Sequence, residues 1–176
     1  MAKNSFGSLV DGCRRAGMKS AGVRRRNRFP GSAGSGMLSR MATYDEIHLG
    51  DSATFTKTVS ETDIYLFAGI TGDMNPAHVD AVSAAVGMFK QRIAHGMLTA
   101  SFISTVIAMK LPGPGTIYAG QNLQFRAPVF IGDTVTARIE CSEKVEARKW
   151  LKFKTTVTNQ DGKVVVDGEA TVIPPK

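Results

Sequence analysis

The chain has 176 residues, of which 43% are hydrophobic and 21% charged, a composition that suits one globular domain with its own core. Its formal net charge of +7 is concentrated in residues 1–40, which hold nine lysines and arginines and one acid, whereas residues 41–176 hold thirteen basic and fourteen acidic residues. The nearly neutral body gives no electrostatic case for nucleic-acid binding, no apolar stretch approaches the roughly 20 residues of a membrane span, and two cysteines give no disulfide framework.

Residues 1–40 form a basic leader rich in Gly, Ser and Arg, and we expect it to be disordered or non-native. Apolar residues from Phe6 to Gly17 fall on one helical face and acids are scarce, so a mitochondrial transit peptide is an open alternative. A secretory signal is not expected, because no apolar stretch follows the charges. We therefore predict a cytoplasmic protein with a folded domain at residues 41–176, and a mitochondrial location as the alternative.

A strand and a helix are predicted at the start of the domain. Residues 53–59 alternate between polar and apolar side chains, as a half-buried strand does. Ser60 and Asp63 form the start signal of a short helix, which the glycines Gly69 and Gly72 are expected to end.

Two further helices follow in the predicted order. Asp80 can cap a short helix that Gly87 closes. A longer helix from Gly96 to Leu111 carries apolar or small residues on nearly every face, which is typical of a helix surrounded by protein. Pro112–Gly115 ends it. Its large apolar side chains are predicted to belong to the core, among them Met97, Phe102 and Met109.

Four strands are predicted after the long helix, at residues 116–126, 133–145, 149–159 and 163–173. Asp161-Gly162 lies between the last two and is a strong hairpin signal. The element order favours an α+β domain in which a curved antiparallel sheet wraps a central helix. A doubly wound nucleotide-binding fold is not expected, since no glycine-rich phosphate loop follows a strand.

One segment combines titratable side chains with turn signals, namely Gly69-Ile-Thr-Gly-Asp-Met-Asn-Pro-Ala-His78. Asp73 and His78 lie five residues apart, across an Asn-Pro step that is expected to exclude a helix. A carboxylate and an imidazole aimed into one pocket can share the activation of a water molecule. A second string, Ile93-Ala-His-Gly-Met-Leu98, leads into the long helix.

These strings resemble the MaoC-like (R)-specific enoyl-CoA hydratases, the hydratase 2 group of hot-dog-fold proteins. The similarity covers about residues 43–173 and is carried by four segments, at residues 65–80, 92–98, 111–118 and 125–134. It implies a single hot-dog fold and a homodimer. It also implies reversible addition of water to a trans-2-enoyl-CoA, giving (R)-3-hydroxyacyl-CoA, with an acyl-CoA thioester as substrate and with neither a cofactor nor a metal.

Site residues follow from the same resemblance. Asp73 and His78 are the implied catalytic pair, and the backbone N–H of Gly96 is the implied donor to the thioester oxygen. The position of Gly96 at the start of a buried helix also favours that role. The division of proton transfers between Asp73 and His78 stays open. A turn-capping aspartate, a hydrogen-bonded core histidine and a close-packing glycine are the structural alternatives.

Three more residues are candidates for supporting roles. Asn75 orients either the turn or its ligand, and structural duty alone is an equal alternative. A structural hydrogen bond is favoured over catalysis for His95. Ser104 can orient the residues that contact the ligand, or its hydroxyl can donate to a carbonyl of its own helix.

Several functions remain open beside the hydratase. A dehydratase acting on acyl-carrier-protein thioesters would use the same residues, and a hot-dog thioesterase or a non-catalytic acyl-CoA-binding module is also possible. Nucleic-acid binding has only the leader in its support. Tyr118 and Gln121 are candidates for the acyl passage. Four cations are candidates for contacts with CoA phosphates or a carrier protein: Lys90, Arg92, Arg126 and Arg148.

Overall fold

A computed structural model describes residues 41–176. The leader and its transit-peptide alternative lie outside the described residues, so the predicted division at residue 41 stays a prediction. Five strands and four helices occur in the described part, in the order β1 (Ser52–Thr58), α1 (Glu61–Thr71), α2 (Pro76–Val79), α3 (Ala81–Val86), α4 (Gly96–Met109), β2 (Ile117–Phe125), β3 (Thr134–Val145), β4 (Trp150–Thr158) and β5 (Val164–Ile173). Within residues 41–176, no helix combines the length and the apolar character needed to cross a membrane.

The strands form one antiparallel sheet in the order β1-β3-β4-β5-β2. Strands β3, β4 and β5 are consecutive neighbours and form a meander, whereas β2 pairs with β5 and not with β3. The hairpin signal at Asp161-Gly162 is confirmed, because β4 pairs with β5 and Gly162 has the positive φ of 75° that such a turn uses. β1 and β2 are left as the two edge strands, and each has one side without a partner strand from residues 41–176.

Helix α4 packs against strands β1, β2, β3 and β4, and the core lies between the helix and the sheet. Burial alternates along β3 and β4, so each strand turns every second side chain toward the helix. The largest fully buried side chains on both sides of this contact include Ile103, Ile107, Ile139, Leu151 and Phe153. The predicted α+β class and the hot-dog arrangement of a long helix against a curved antiparallel sheet are confirmed.

Helix α1 begins as predicted and ends later than predicted. Ser60 and Asp63 form a reciprocal capping box. Burial opposes ionisation of Asp63, yet hydrogen bonds from Ser60 and the neighbouring ammonium of Lys57 hold the pKa of its carboxyl below the usual value. Gly69 lies inside the helix and does not end it. Gly72, with φ 77°, closes the helix by donating its N–H to a main-chain carbonyl one turn back.

The expectation that the Asn-Pro step excludes a helix is wrong. Pro76 is the first residue of the one-turn helix α2, where a missing N–H costs nothing and the fixed φ of proline suits the helix. The Asn75 side chain accepts a hydrogen bond from Ala77 N at 3.0 Å and caps this turn. His78 therefore projects from a helical turn, and Asn75 has the structural duty that was one of its two alternatives.

Helix α4 ends at Met109 and not at Leu111, and residues 41–176 do not fully enclose it. Phe102 is buried as predicted, but Met97 and Met109 are 57% and 53% exposed, so their assignment to the core is wrong for the single chain. The exposed face also carries small polar residues, Ser101 and Ser104. Apolar character on every face of a helix does not reveal which neighbour covers each face.

Lys144 offers a test of how the chain before β1 is held. Its ammonium donates to the carbonyl oxygens of Tyr44 at 2.8 Å and Ile47 at 2.6 Å. Because hydrogen bonds to charged groups contribute about 1.5–3 kcal/mol, Lys144→Met is expected to lower the free energy of unfolding by about that amount in urea. Lys154→Met, at an exposed position of β4, should change it by less than about 0.5 kcal/mol. Equal effects of the two substitutions would contradict the assignment.

Candidate active site

The turn between α1 and α2 carries Asp73. The main-chain N–H of Asp73 donates to the Thr71 hydroxyl at 3.3 Å, and its carboxylate Oδ1 accepts from Asn75 N at 3.2 Å. Asp73 thus makes the hydrogen bond expected of a turn-capping aspartate, which was its structural alternative. That contact uses one lone pair of a side chain that is exposed in the single chain. The carboxylate therefore retains acceptor capacity for a water molecule.

His78 is held in one tautomer by its surroundings. Its Nδ1 lies 2.9 Å from the carbonyl oxygen of Ile93. A carbonyl oxygen can only accept, so Nδ1 carries the proton of the neutral ring and Nε2 carries a lone pair. A half-buried imidazole with an available lone pair is the form that a general base needs.

His95 is buried beside the pair, with 2% of its surface exposed. Its Nε2 lies 2.9 Å from the main-chain carbonyl oxygen of Asp73, to which it must donate. Its ring stacks on His78, with centroids 3.8 Å apart and planes inclined by 31°, and lies 5.0 Å from the ring of Phe67. A structural hydrogen bond was the favoured role for His95, and the structure contains one.

Polar atoms of these three residues converge, since one ligand-type atom from each of Asp73, His78 and His95 lies within 4.8 Å of the others. Such a set can also bind a metal ion. Two imidazoles that share an ion must each point a ring nitrogen at it in the plane of the ring, and the planes of His78 and His95 are inclined by 31°. Each ring donates one N–H to a main-chain carbonyl, which leaves the other ring nitrogen with a lone pair. The same set of atoms can hold a water molecule for proton transfer, which is the use that the sequence predicts.

Gly96 opens helix α4 directly after His95. The first N–H groups of a helix have no acceptor within it, and they lie at the positive end of its dipole. The side chain of His95, the N-cap residue, makes no capping hydrogen bond. Gly96 is exposed and lines a cavity of about 260 Å³ together with Phe125, Val129 and other apolar residues. A ligand oxygen can therefore approach its N–H.

The absence of a side chain at Gly96 matters sterically. A Cβ there would lie 2.9 Å from Phe125 Cε1 and 3.0 Å from its Cδ1, closer than carbon atoms normally approach. We expect Gly96→Ala to lower kcat/KM for the enoyl thioester that the sequence resemblance implies by about tenfold or more, because either the ring or the helix start must shift. The double variant with Phe125→Ala should recover the activity of Phe125→Ala alone. Full activity of Gly96→Ala by itself would contradict the steric reading.

Ser104 and the two acyl-passage candidates lie elsewhere on the molecule. Ser104 follows Gly96 by about two helical turns, or about 12 Å along α4. It lines an open cavity of about 530 Å³ that also includes Tyr118 and Gln121. Burial raises the pKa of Tyr118 to about 12, so its phenol stays protonated at neutral pH, and it donates to the Gln121 side chain. These residues form a second group, between the exposed face of α4 and strand β2.

Two parts of the site have no signal in the sequence. The carbonyl of Ile93 sets the tautomer of His78, and a main-chain acceptor leaves no mark on residue choice. The ring of Phe67 packs on His95, and an aromatic residue in a helix indicates no more than a core position. Both contacts join segments that are separated by 15 or more residues, so only the fold brings them together.

Known proteins resemble the chain along most of its length. Residues 48–163 match the protein family described as "MaoC like domain". The (R)-specific enoyl-CoA hydratase of Rhodospirillum rubrum is 54% identical over 132 residues, which is 75% of this chain and 91% of that protein. A mitochondrial 3-hydroxyacyl-[acyl-carrier-protein] dehydratase of Arabidopsis thaliana is 36% identical over 78% of this chain and 84% of its own length. Among solved structures, the unliganded R-hydratase PhaJ1 of Pseudomonas aeruginosa has a TM-score of 0.75 and 46% identity, covering 78% of this chain and 88% of its own.

Proposed function

The chain belongs to the MaoC-like domain family, and from that premise we propose that it is an (R)-specific enoyl-CoA hydratase. This hydro-lyase adds water reversibly to a trans-2-enoyl-CoA and forms (R)-3-hydroxyacyl-CoA. The observation that supports it most is the pairing of the Asp73 carboxylate with an imidazole, His78, whose Nε2 bears a lone pair. Water addition to an enoyl thioester needs such a pair and a donor for the thioester oxygen.

The proposed reaction assigns a role to each of the three groups. His78 Nε2 takes a proton from a water molecule while the water oxygen bonds to C3 of the substrate. The electron pair of the double bond moves toward the thioester, and the Gly96 N–H stabilises the negative oxygen. The imidazolium then returns its proton to C2, so His78 ends as it began. Asp73 accepts the second O–H of the water and stabilises the imidazolium.

The contributions expected from these groups are large enough to accelerate the reaction substantially. A positioned acid–base group contributes about 10²–10⁴-fold in rate. One donor to a developing oxyanion contributes about 2.7–4 kcal/mol when water is excluded. Neither contribution requires a cofactor, and we propose that the reaction uses none besides the CoA of its substrate. Undiminished turnover after treatment with a chelator is the expected result.

A second copy of the chain is the proposed partner. Strand β2 is an edge strand, and the exposed face of α4 beside it carries Met97, Ser101 and Ser104. Asp73 and Gly96 are also exposed in the single chain, although an oxyanion site gains its strength from the exclusion of water. A homodimer would cover these surfaces. A monomeric mass in solution by light scattering, with full activity, would contradict it.

The carrier-protein dehydratase is the main alternative, since one relative carries that name. Recognition of an acidic carrier protein needs a basic rim. Three of the four candidate cations are engaged within the chain, because Arg92 pairs with Glu61, Arg126 pairs with Asp167, and Arg148 lies over the ring of Trp150. This pairing removes support for a basic rim made of these residues, and it bears equally on their contact with CoA phosphates. The preference for the CoA thioester comes from the higher identity to the enoyl-CoA hydratase, 54% against 36%.

A hydration assay decides among these functions. Enoyl-CoA substrates of increasing chain length are supplied beside the matching carrier-protein thioesters, and the product is analysed for chirality. We expect loss of the enoyl-thioester absorbance with CoA substrates and formation of the (R) product. Faster turnover of the carrier-protein substrate would favour the dehydratase, release of free CoA a thioesterase, and binding without absorbance loss a non-catalytic module.

We also propose a cytoplasmic location, which fractionation of the source cells tests. The mitochondrial alternative depends on residues 1–40, and so does any nucleic-acid binding. Deletion of those residues should leave hydration unchanged and abolish any nucleic-acid binding. Binding that persists and falls with added salt would place it on the folded domain.

A further inference from the structure

We propose that His95 is a positioning residue for water addition. Its Nε2–H ties the main chain of Asp73 to the start of helix α4, where Gly96 offers its N–H. In this way one side chain fixes the position of the acid–base pair relative to the donor for the thioester oxygen. The inference deepens the proposed function and rests on it for its catalytic meaning.

The attachment of the Asp73 turn is the first step. Within residues 41–176, the hydrogen bonds found for residues 72–75 otherwise connect them only to one another and to near neighbours along the chain. The bond from His95 Nε2 to the Asp73 carbonyl spans 22 residues. It is therefore the link between this exposed turn and the body of the domain.

Residues 93–95, called here the strap, hold the rest of the active-site segment in the same way. Ile93 N donates to the carbonyl of Ala77 at 3.1 Å, and the Ile93 carbonyl accepts from His78 Nδ1 at 2.9 Å. The strap thus binds Asp73 and His78 separately. Gly96 follows it directly, so the three proposed groups share one support.

Histidine at this position has an energetic cost, because one of its two ring nitrogens has no partner from residues 41–176. At the N-cap of α4, a Ser, Thr, Asp or Asn side chain would accept from helix N–H groups, whereas the His95 side chain makes no capping hydrogen bond. Its Nδ1 is buried without a hydrogen-bond partner from residues 41–176. Buried polar atoms are rarely left in this state, and those that are call for an explanation. The explanation we propose is that this position needs both a ring nitrogen that donates to Asp73 and a ring that packs on His78.

Loss of the donor should affect the chemical step more than substrate binding. Without it the Asp73 turn can shift relative to His78 and Gly96, and a misplacement of about 1 Å costs about 10²-fold in rate. The stack on His78 would be lost in any aliphatic replacement. A matched pair of variants must therefore separate the hydrogen bond from the ring.

His95→Met and His95→Gln form that pair, since both have unbranched side chains of similar length and only Gln can donate from near the Nε2 position. We expect His95→Met to lower kcat by about 10- to 100-fold with KM within about threefold, and His95→Gln to retain kcat within about fivefold. Amide hydrogen exchange of residues 72–78 should rise in His95→Met and stay near the wild-type value in His95→Gln. If the Met variant does not fold, His95→Phe, which keeps the ring and lacks the donor, replaces it.

Two outcomes would overturn the proposal. Wild-type kcat in the variant without a donor would show that Asp73 needs no such attachment. Equal losses in the Met and Gln variants, with equal exchange, would assign the effect to the ring or its volume. The exchange measurement needs no turnover, so it decides the positioning even if the wild-type protein hydrates no enoyl-CoA and the proposed function fails.

Discussion

Replacement of Asp73 by asparagine is expected to lower kcat for hydration of crotonyl-CoA by about 10²–10⁴-fold while the domain stays folded. The amide oxygen of the new side chain can still accept from Asn75 N, so the turn keeps its hydrogen bond of 3.2 Å. The amide cannot, however, stabilise an imidazolium as a carboxylate does. The loss of absorbance at the conjugated enoyl thioester measures the rate directly.

Asp80→Asn is the matched control for this substitution. Asp80 lies in the same segment and caps α3, where it accepts from Val82 N and Ser83 N. Hydrogen bonds from the Ser83 hydroxyl and main chain hold the pKa of its carboxyl below the usual value. We expect this variant to lose stability and to keep kcat. If both variants kept kcat and lost only stability, Asp73 would be a turn residue and the catalytic proposal would fail.

Replacement of His78 by asparagine is expected to cause a loss of similar size, again about 10²–10⁴-fold in kcat. The asparagine amide nitrogen lies near the position of Nδ1 and can still donate to the Ile93 carbonyl, which now accepts at 2.9 Å. The lone pair of Nε2 is removed without loss of the anchor. The same absorbance assay, with a circular dichroism spectrum to verify folding, measures the effect.

His48→Asn serves as its control, because the side chain of His48 is 76% exposed and lies in the turn before β1. That variant should hydrate at the wild-type rate. The double variant of Asp73 and His78 should lose little more than either single variant, since groups that act on one water are not additive. Near-normal turnover in folded His78→Asn would remove the imidazole from the mechanism.

Local chemistry explains why much of the fold could be predicted. The capping box at Ser60, the cap at Asp80 and the hairpin signal at Asp161-Gly162 act within a few residues, so each is readable along the chain. Two expectations about helix ends were wrong for one reason: glycine and proline were taken to break a helix at any position. Gly69 stays inside α1 although its propensity opposes a helix, and Pro76 starts a turn of helix rather than preventing one.

The sequence by itself determined which residues are candidates for the site, namely Asp73, His78 and Gly96. The segments that contain them also carry the resemblance to the family, because the identity and spacing of nearby residues are local properties. Only the tertiary structure decided how they are held. The tautomer of His78 depends on the Ile93 carbonyl, and the position of Asp73 depends on a ring 22 residues away. Hydrogen bonds between distant segments have no periodicity along the chain, and a main-chain acceptor has no residue identity. The exposed face of α4 could not be predicted either, because apolar residues on every face of a helix do not show which face the sheet leaves uncovered.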